Sequence, residues 1–156
     1  MAGDPIRKPP LLVDTMLGKL ATYLRMCGYD ASYTLDRSVE ADDATRALAS
    51  EEGRRLLTRD RSLAARTPDA VLLESRDVTE QLRELAAAGF VLELPAEPTR
   101  CGNCNAVLER VGTEEPTPDY APDPPETAVW RCPDCGQHFW KGSHWDEVSE
   151  TLAAVR

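Results

Sequence analysis

The sequence predicts an α/β fold with a mainly parallel sheet over residues 1–95, followed by a small metal-stapled module over residues 96–156. Three observations predict it. Short apolar runs alternate with segments of helical periodicity, the pattern of βαβ units covered on both faces. Several of those runs stop at an aspartate. Beyond Pro95 the composition changes, and two Cys-x2-Cys pairs appear.

The elements follow in order. Leu11, Leu12 and Val13 form a buried strand that ends at Asp14. "TMLGKLATYLRMCG" is a helix with Met16, Leu17, Leu20, Leu24 and Cys27 on one face, and Gly18, Lys19, Thr22 and Arg25 on another. Gly28 stops it. "ASYTL" at 31–35 suits a second strand, and "DDATRALASEEG" a helix with an aspartate cap and a glycine stop. "RRLLT" is the third strand, and "AVLLES" at 70–75 the fourth. "DVTEQLRELAAAG" sets Asp77 three residues before Glu80, a capping-box spacing. "FVLEL", closed by Pro95, is a fifth strand candidate. "PAEPTR" is then a linker, and the chain closes in a helix starting near Ser143.

The 156 residues carry 27 acids against 3 Lys and 15 Arg, for a net charge of −9. Such a balance normally argues against nucleic acid, because phosphate is repelled by an acidic surface. It also suits work in high salt, where repulsion is screened within about 3 Å at 1 M. Global charge therefore does not select the ligand; local charge must. No apolar run is long enough to span a bilayer. The first ten residues lack an apolar core and cleavage site, so the expected location is cytoplasmic.

In an open parallel sheet, ligands bind outside the carboxyl ends of the strands. Asp14 and Asp60 each end an apolar strand, Asp77 lies just past another, and Asp42 and Asp43 open a helix. Carboxylates gathered at one rim repel unless a cation neutralises them, and Mg²⁺ or Mn²⁺ prefers such oxygen ligands. That is the chemistry of a metal-dependent nuclease or phosphatase. The competing reading is capping, since aspartate is among the best helix N-caps. Capping alone is the better account of Asp77. One of Asp42 and Asp43 is expected to cap and the other to be free.

The spacing of Cys101, Cys104, Cys132 and Cys135 suits a closed, structural Zn²⁺ site, with 27 residues (105–131) between the pairs. Those residues include the proline- and acid-rich "GTEEPTPDYAPDPPETA", read as an extended loop. Cys27, on an apolar helix face, is read as inert core. Trp140, Lys141, His144 and Trp145 interleave aromatic and basic character, which suits base stacking and phosphate contact; packing of the ribbon on the α/β domain is the alternative for the tryptophans.

The blocks "LLVDTMLGKLATYLRMCGYD", "EEGRRLLTRDRSL", "QLREL", "RCGNCNAVLE" and "WRCPDCGQHFWKGSHW" resemble, in order over about residues 11–146, the Mut-seven C-terminal RNase domain family. The resemblance implies a PIN-like three-layer ribonuclease fold with a C-terminal zinc ribbon, acting on single-stranded RNA with Mg²⁺ or Mn²⁺. Carried over by position, Asp14 is the first acid and Asp60 the acid of "TRD". The intermediate acid is Asp42 or Asp43, with Asp43 slightly favoured, and Asp77 is a weak candidate for a fourth. Lys19, Arg25 and Arg59 then become candidate phosphate contacts, with Arg25 alternatively pairing a carboxylate to fix the acidic rim. The rival reading is a non-catalytic zinc-ribbon adaptor for RNA or for a processing or ribosomal partner. A third, a small-molecule phosphatase, gives the ribbon no purpose.

Overall fold

A computed structural model describes residues 8–156. Residues 1–7, which carry most of the segment read as lacking an export signal and the start of the unit placed at 1–95, lie outside the described residues. Strands β1 (Leu11–Val13), β2 (Ala31–Tyr33), β3 (Arg55–Thr58) and β4 (Val71–Leu72) form one parallel sheet in the order β2-β1-β3-β4. Helices α1 (Gly18–Met26), α2 (Asp42–Glu52), α3 (Arg61–Arg66) and α4 (Val78–Ala87) connect or follow them.

All three residues of β1 are fully buried, as a central parallel strand covered on both faces requires. Its side chains alternate between two cores. Leu11 and Val13 join Leu57 of β3 and Leu20, Leu24, Leu82 and Leu85 of α1 and α4. Leu12 joins Leu56, Ala49 of α2 and Leu63 of α3 on the opposite face. Three layers result. The chain leaves β1 over one face through α1 and leaves β3 over the other through α3, so the topological switch point lies between β1 and β3.

Three sequence expectations change. Residues 90–94 are not a strand: Leu92 is buried, but the Val91 N–H donates to the Tyr29 hydroxyl at 3.1 Å, and no neighbouring strand completes a ladder. Met16 is 57% exposed, because residues Thr15–Leu17 form a 3-10 turn before α1 and shift the apolar face to Leu17, Leu20 and Leu24. Ala41 takes the N-cap position of α2, so neither Asp42 nor Asp43 caps it; both lie in its first turn. Gly53 stops α2 in the left-handed conformation with φ 63°.

The cysteine module is a three-stranded antiparallel sheet of β5 (Glu109–Arg110), β6 (Trp130–Arg131) and β7 (His138–Phe139), followed by α5 (Ser143–Val155). The long segment between β5 and β6 has turns and no regular element, but Tyr120 packs on His138 and Trp140. The boundary drawn at residue 95 separates two sheets but not two cores. Val148, Leu152 and Val155 of α5 are buried in the same cluster as α1 and α4.

Candidate active site and zinc centre

The carboxyl ends of β2, β1 and β3 bring together a polar rim. Asp14 follows β1. Its Oδ1 accepts from the Thr15 N–H at 2.8 Å and its Oδ2 from the Thr58 hydroxyl at 2.7 Å. The same hydroxyl oxygen accepts from the Asp60 N–H at 3.0 Å. Asp14 and Asp60, 46 positions apart in sequence, are thus linked through one buried side chain, Thr58, and lie closer than a helix diameter of about 10 Å. Asp60 Oδ1 caps α3 by accepting from Leu63 N–H at 3.0 Å, leaving Oδ2 available. Both acids are therefore caps as well as strand-end acids. Asp77 caps α4 through the Glu80 N–H at 3.1 Å, as its spacing predicts.

Asp42 and Asp43 are engaged elsewhere. Arg66 reaches Asp42 at 3.0 Å and Asp43 at 3.9 Å, and Arg46 reaches Asp43 at 3.6 Å. A further strand-end acid acts on the same rim tyrosine as Asp14: Asp36, in the turn after β2. The Tyr33 hydroxyl donates to Thr15 O, and its acidity is weakened by partial burial, then by the Asp36 and Asp14 carboxylates. Thr15 and Thr34 share a hydroxyl hydrogen bond of 2.8 Å at the same rim. The signal for Asp36 was the one used for Asp14 and Asp60, an acid just past an apolar strand.

Among the basic candidates, Lys19 is exposed. Arg59 is partly buried, and its Nε is buried without a hydrogen-bond partner among the described residues. Arg25 is different. It is only 3% exposed. Its Nε donates to Ala31 O at 2.8 Å, its Nη1 to Gly102 O and Asn103 O at 3.1 and 3.2 Å, and its Nη2 lies 3.5 Å from Asp36. Burial weakens its hold on its proton, and Asp36 opposes that. A guanidinium so engaged fixes the rim rather than offering itself to phosphate. Of the two compatible roles weighed for Arg25, the carboxylate pair corresponds to the 3.5 Å contact with Asp36.

The four-cysteine cluster is compact. The four cysteine sulfurs lie within 4.8 Å of one another, and among the described residues they are the only such group of three or more Cys, His, Asp or Glu ligand atoms. The Cys101–Cys135 and Cys104–Cys132 sulfurs are 3.6 and 3.3 Å apart, near the ~3.8 Å that tetrahedral Zn–S bonds of about 2.3 Å impose. The two knuckles match. The Cys104 N–H donates to Cys101 Sγ and the Cys135 N–H to Cys132 Sγ, each at 3.4 Å. Asn105 (φ 73°) and Gly136 (φ 80°) turn the chain back after each pair. Burial raises the Cys101 and Cys104 thiols. At Cys135 desolvation is outweighed by the Gln137 N–H and its other hydrogen-bond partners, which hold it down to about 7. A cation is what would keep all four deprotonated together. The donor set fits Zn²⁺.

A family model described as the Mut7-C RNAse domain matches residues 9–152. The chain belongs to that family. No curated protein and no solved structure matches it. Membership of the Mut7-C family points to a ribonuclease with RNA as its substrate, and the matched residues span both the parallel sheet and the cysteine ribbon. Among the described residues no helix is long and apolar enough to cross a membrane.

In this Mut7-C chain the remaining RNA-contact candidates lie on the ribbon side. The Lys141 Nζ donates to Ala96 O at 3.0 Å and stands 5.9 Å from the centre of the Trp145 ring. Trp140 lies against Gly142, where a Cβ would come within 2.6 Å of the indole nitrogen. His144 is exposed and Trp145 half-buried.

Proposed function

We propose that the protein is a divalent-metal-dependent ribonuclease that hydrolyses single-stranded RNA at the rim between β1 and β3. The carrying observation is the Asp14–Thr58–Asp60 link across the switch point. Mg²⁺ sites need only one or two protein carboxylates beside water and substrate oxygens, so Asp14 and Asp60 suffice as the protein's principal ligands. Bound there, Mg²⁺ or Mn²⁺ would supply charge stabilisation to the phosphoryl oxygens and acidify a water. The chain's own residues do the rest. Thr58 fixes the Asp14 carboxylate, Arg25 holds Asp36 beside it, and Lys19 and Arg59 attract the phosphate backbone. The third acid is Asp36, or Asp42 or Asp43 as the family resemblance implies.

The test is cleavage of unstructured RNA by zinc-loaded protein with added Mn²⁺. Asp14→Asn and Asp60→Asn should each lower the rate about 100-fold or more, since even outer-shell partners of metal ligands cost 10–100-fold. Wild-type cleavage by both variants overturns the assignment. Comparing Asp36→Asn with the Asp42→Asn/Asp43→Asn double variant identifies the third acid: the larger loss marks it.

The adaptor reading retains one supporting observation, that Asp14 and Asp60 both cap. It predicts RNA affinity independent of Mn²⁺ and no turnover with any divalent ion.

A further inference from the structure

A cavity of about 490 Å³ opens between the zinc ribbon, α1 and the first turn of α5. Its size lies within the range of small-molecule sites, roughly 300–1,000 Å³. Its composition sets it apart from the rest of the chain. Of 27 acidic residues, none lines it. Both histidines of the chain, His138 and His144, do, with two of its three tryptophans, Trp140 and Trp145, and with Arg100. Amide side chains, Asn103 and Gln137, complete the wall. Lys141 stands over Trp145 at the margin.

We infer that this cavity binds a single unstacked nucleotide. Aromatic faces that are sequence-tolerant stackers take the base, amides meet the hydrogen-bonding edge of the base, and Arg100 and Lys141 supply the positive charge that the phosphate requires. A carboxylate-free cavity in a chain of net charge −9 gives an anionic ligand a place where it is not repelled. The inference extends the ribonuclease reading by adding a nucleotide-holding site whose lining shares no residue with the Asp14–Thr58–Asp60 link. It does not depend on cleavage.

The test is titration of zinc-loaded full-length protein, without added Mg²⁺ or Mn²⁺, with AMP and with a short adenine oligoribonucleotide, read by tryptophan fluorescence and by anisotropy of a labelled oligonucleotide. Two variants probe the cavity. His144→Glu places a carboxylate in it while favouring the helix start, and Trp145→Leu keeps an apolar body without the aromatic plane. Each should weaken binding about tenfold, the scale of one lost stacking contact. Ala154→Glu, the same acidic addition on an exposed position of α5 about 2.5 turns beyond Trp145, should leave binding unchanged. Binding of the oligonucleotide but not AMP identifies the source as an RNA chain; saturable binding of AMP identifies a free nucleotide. Wild-type affinity in both cavity variants, equal loss in Ala154→Glu, or no binding of either ligand overturns the site. Loss of cleavage in Asp14→Asn with this binding intact would separate the two proposals.

Discussion

Thr58 decides how close the two strand-end acids come. It is fully buried, donates to Asp14 and accepts from the Asp60 N–H, so both of its roles are used. Thr58→Val keeps the shape and removes the hydroxyl. We expect it to cost about 1–3 kcal/mol by leaving partners unsatisfied, and to lower Mn²⁺-dependent cleavage more than Thr45→Val, which removes a hydroxyl on α2 with no link to the rim. Chemical denaturation and rate measurements check the two effects separately. Equal losses of rate would remove Thr58 from the site. The acid-paired arginines make a second residue-scale case. Glu52 accepts from Arg37 at 2.7 Å and from Arg54 at 2.7 Å, and these bonds hold its carboxyl down to about 2. Asp30 is also lowered: burial raises it, but bonds from Arg54 and Asn105 outweigh that. A folded-state pKa below the unfolded one means stability that is present at neutral pH and lost as pH falls from the ordinary carboxylate range toward 2. Glu52→Gln should therefore flatten the acid limb of a stability-versus-pH curve, with little change in its neutral plateau beyond the loss of an exposed pair.

At the scale of elements, the knuckle carrying Cys101 and Cys104 is fastened to the α/β sheet as well as to the other cysteine pair. Arg25 and Thr22 of α1 reach Gly102 O, and Asn105 donates to Asp30 while accepting from the Ala31 N–H. Zinc removal should therefore disturb more than the ribbon. Titrating the protein with a zinc-selective chelator should release one Zn²⁺ per chain, unfold β5–β7 and lower the thermal stability of the whole protein, because ribbon folding and metal binding are one equilibrium. Re-addition of Zn²⁺ should restore it. Melting of the ribbon alone, with the α/β transition unchanged, would show that the Arg25 and Asn105 contacts carry no coupling.

For the whole molecule, α5 ties the end of the chain to the beginning. Leu152 is 1% exposed within the core that holds Leu11, Leu24 and Leu85. Leu152→Ala should cost about 2–5 kcal/mol in the stability of the entire fold, measured in a single cooperative transition. An earlier, separate transition would instead mark the C-terminal segment as an independent unit. The acidic surface also belongs to this scale. RNA affinity is expected to rest on a few local cations and aromatic groups, so its salt slope should be shallow for a nucleic-acid protein.

Much of this was legible from local pattern. The central parallel strands showed as apolar runs because burial on both faces favours apolar side chains at successive positions. The cysteine knuckles showed because two thiols and a short ring are encoded within each Cys-x2-Cys. The helix starts at Asp77 and near Ser143 followed from capping and composition. What the sequence could not supply was partner choice across distance. Arg25 reads as a surface cation on a polar helix face, yet the fold buries it against carbonyls from residues 102 and 103. "FVLEL" is apolar enough for a strand, yet among the described residues no strand lies beside it to form a ladder. Asp42 and Asp43 sit where acids of the rim were expected, yet Arg46 and Arg66 hold them. Local geometry is fixed by neighbours along the chain, and so it can be read there. Which buried cation meets which carbonyl, and which acid meets which hydroxyl, is fixed by packing between segments tens of residues apart, and only the tertiary structure contains that.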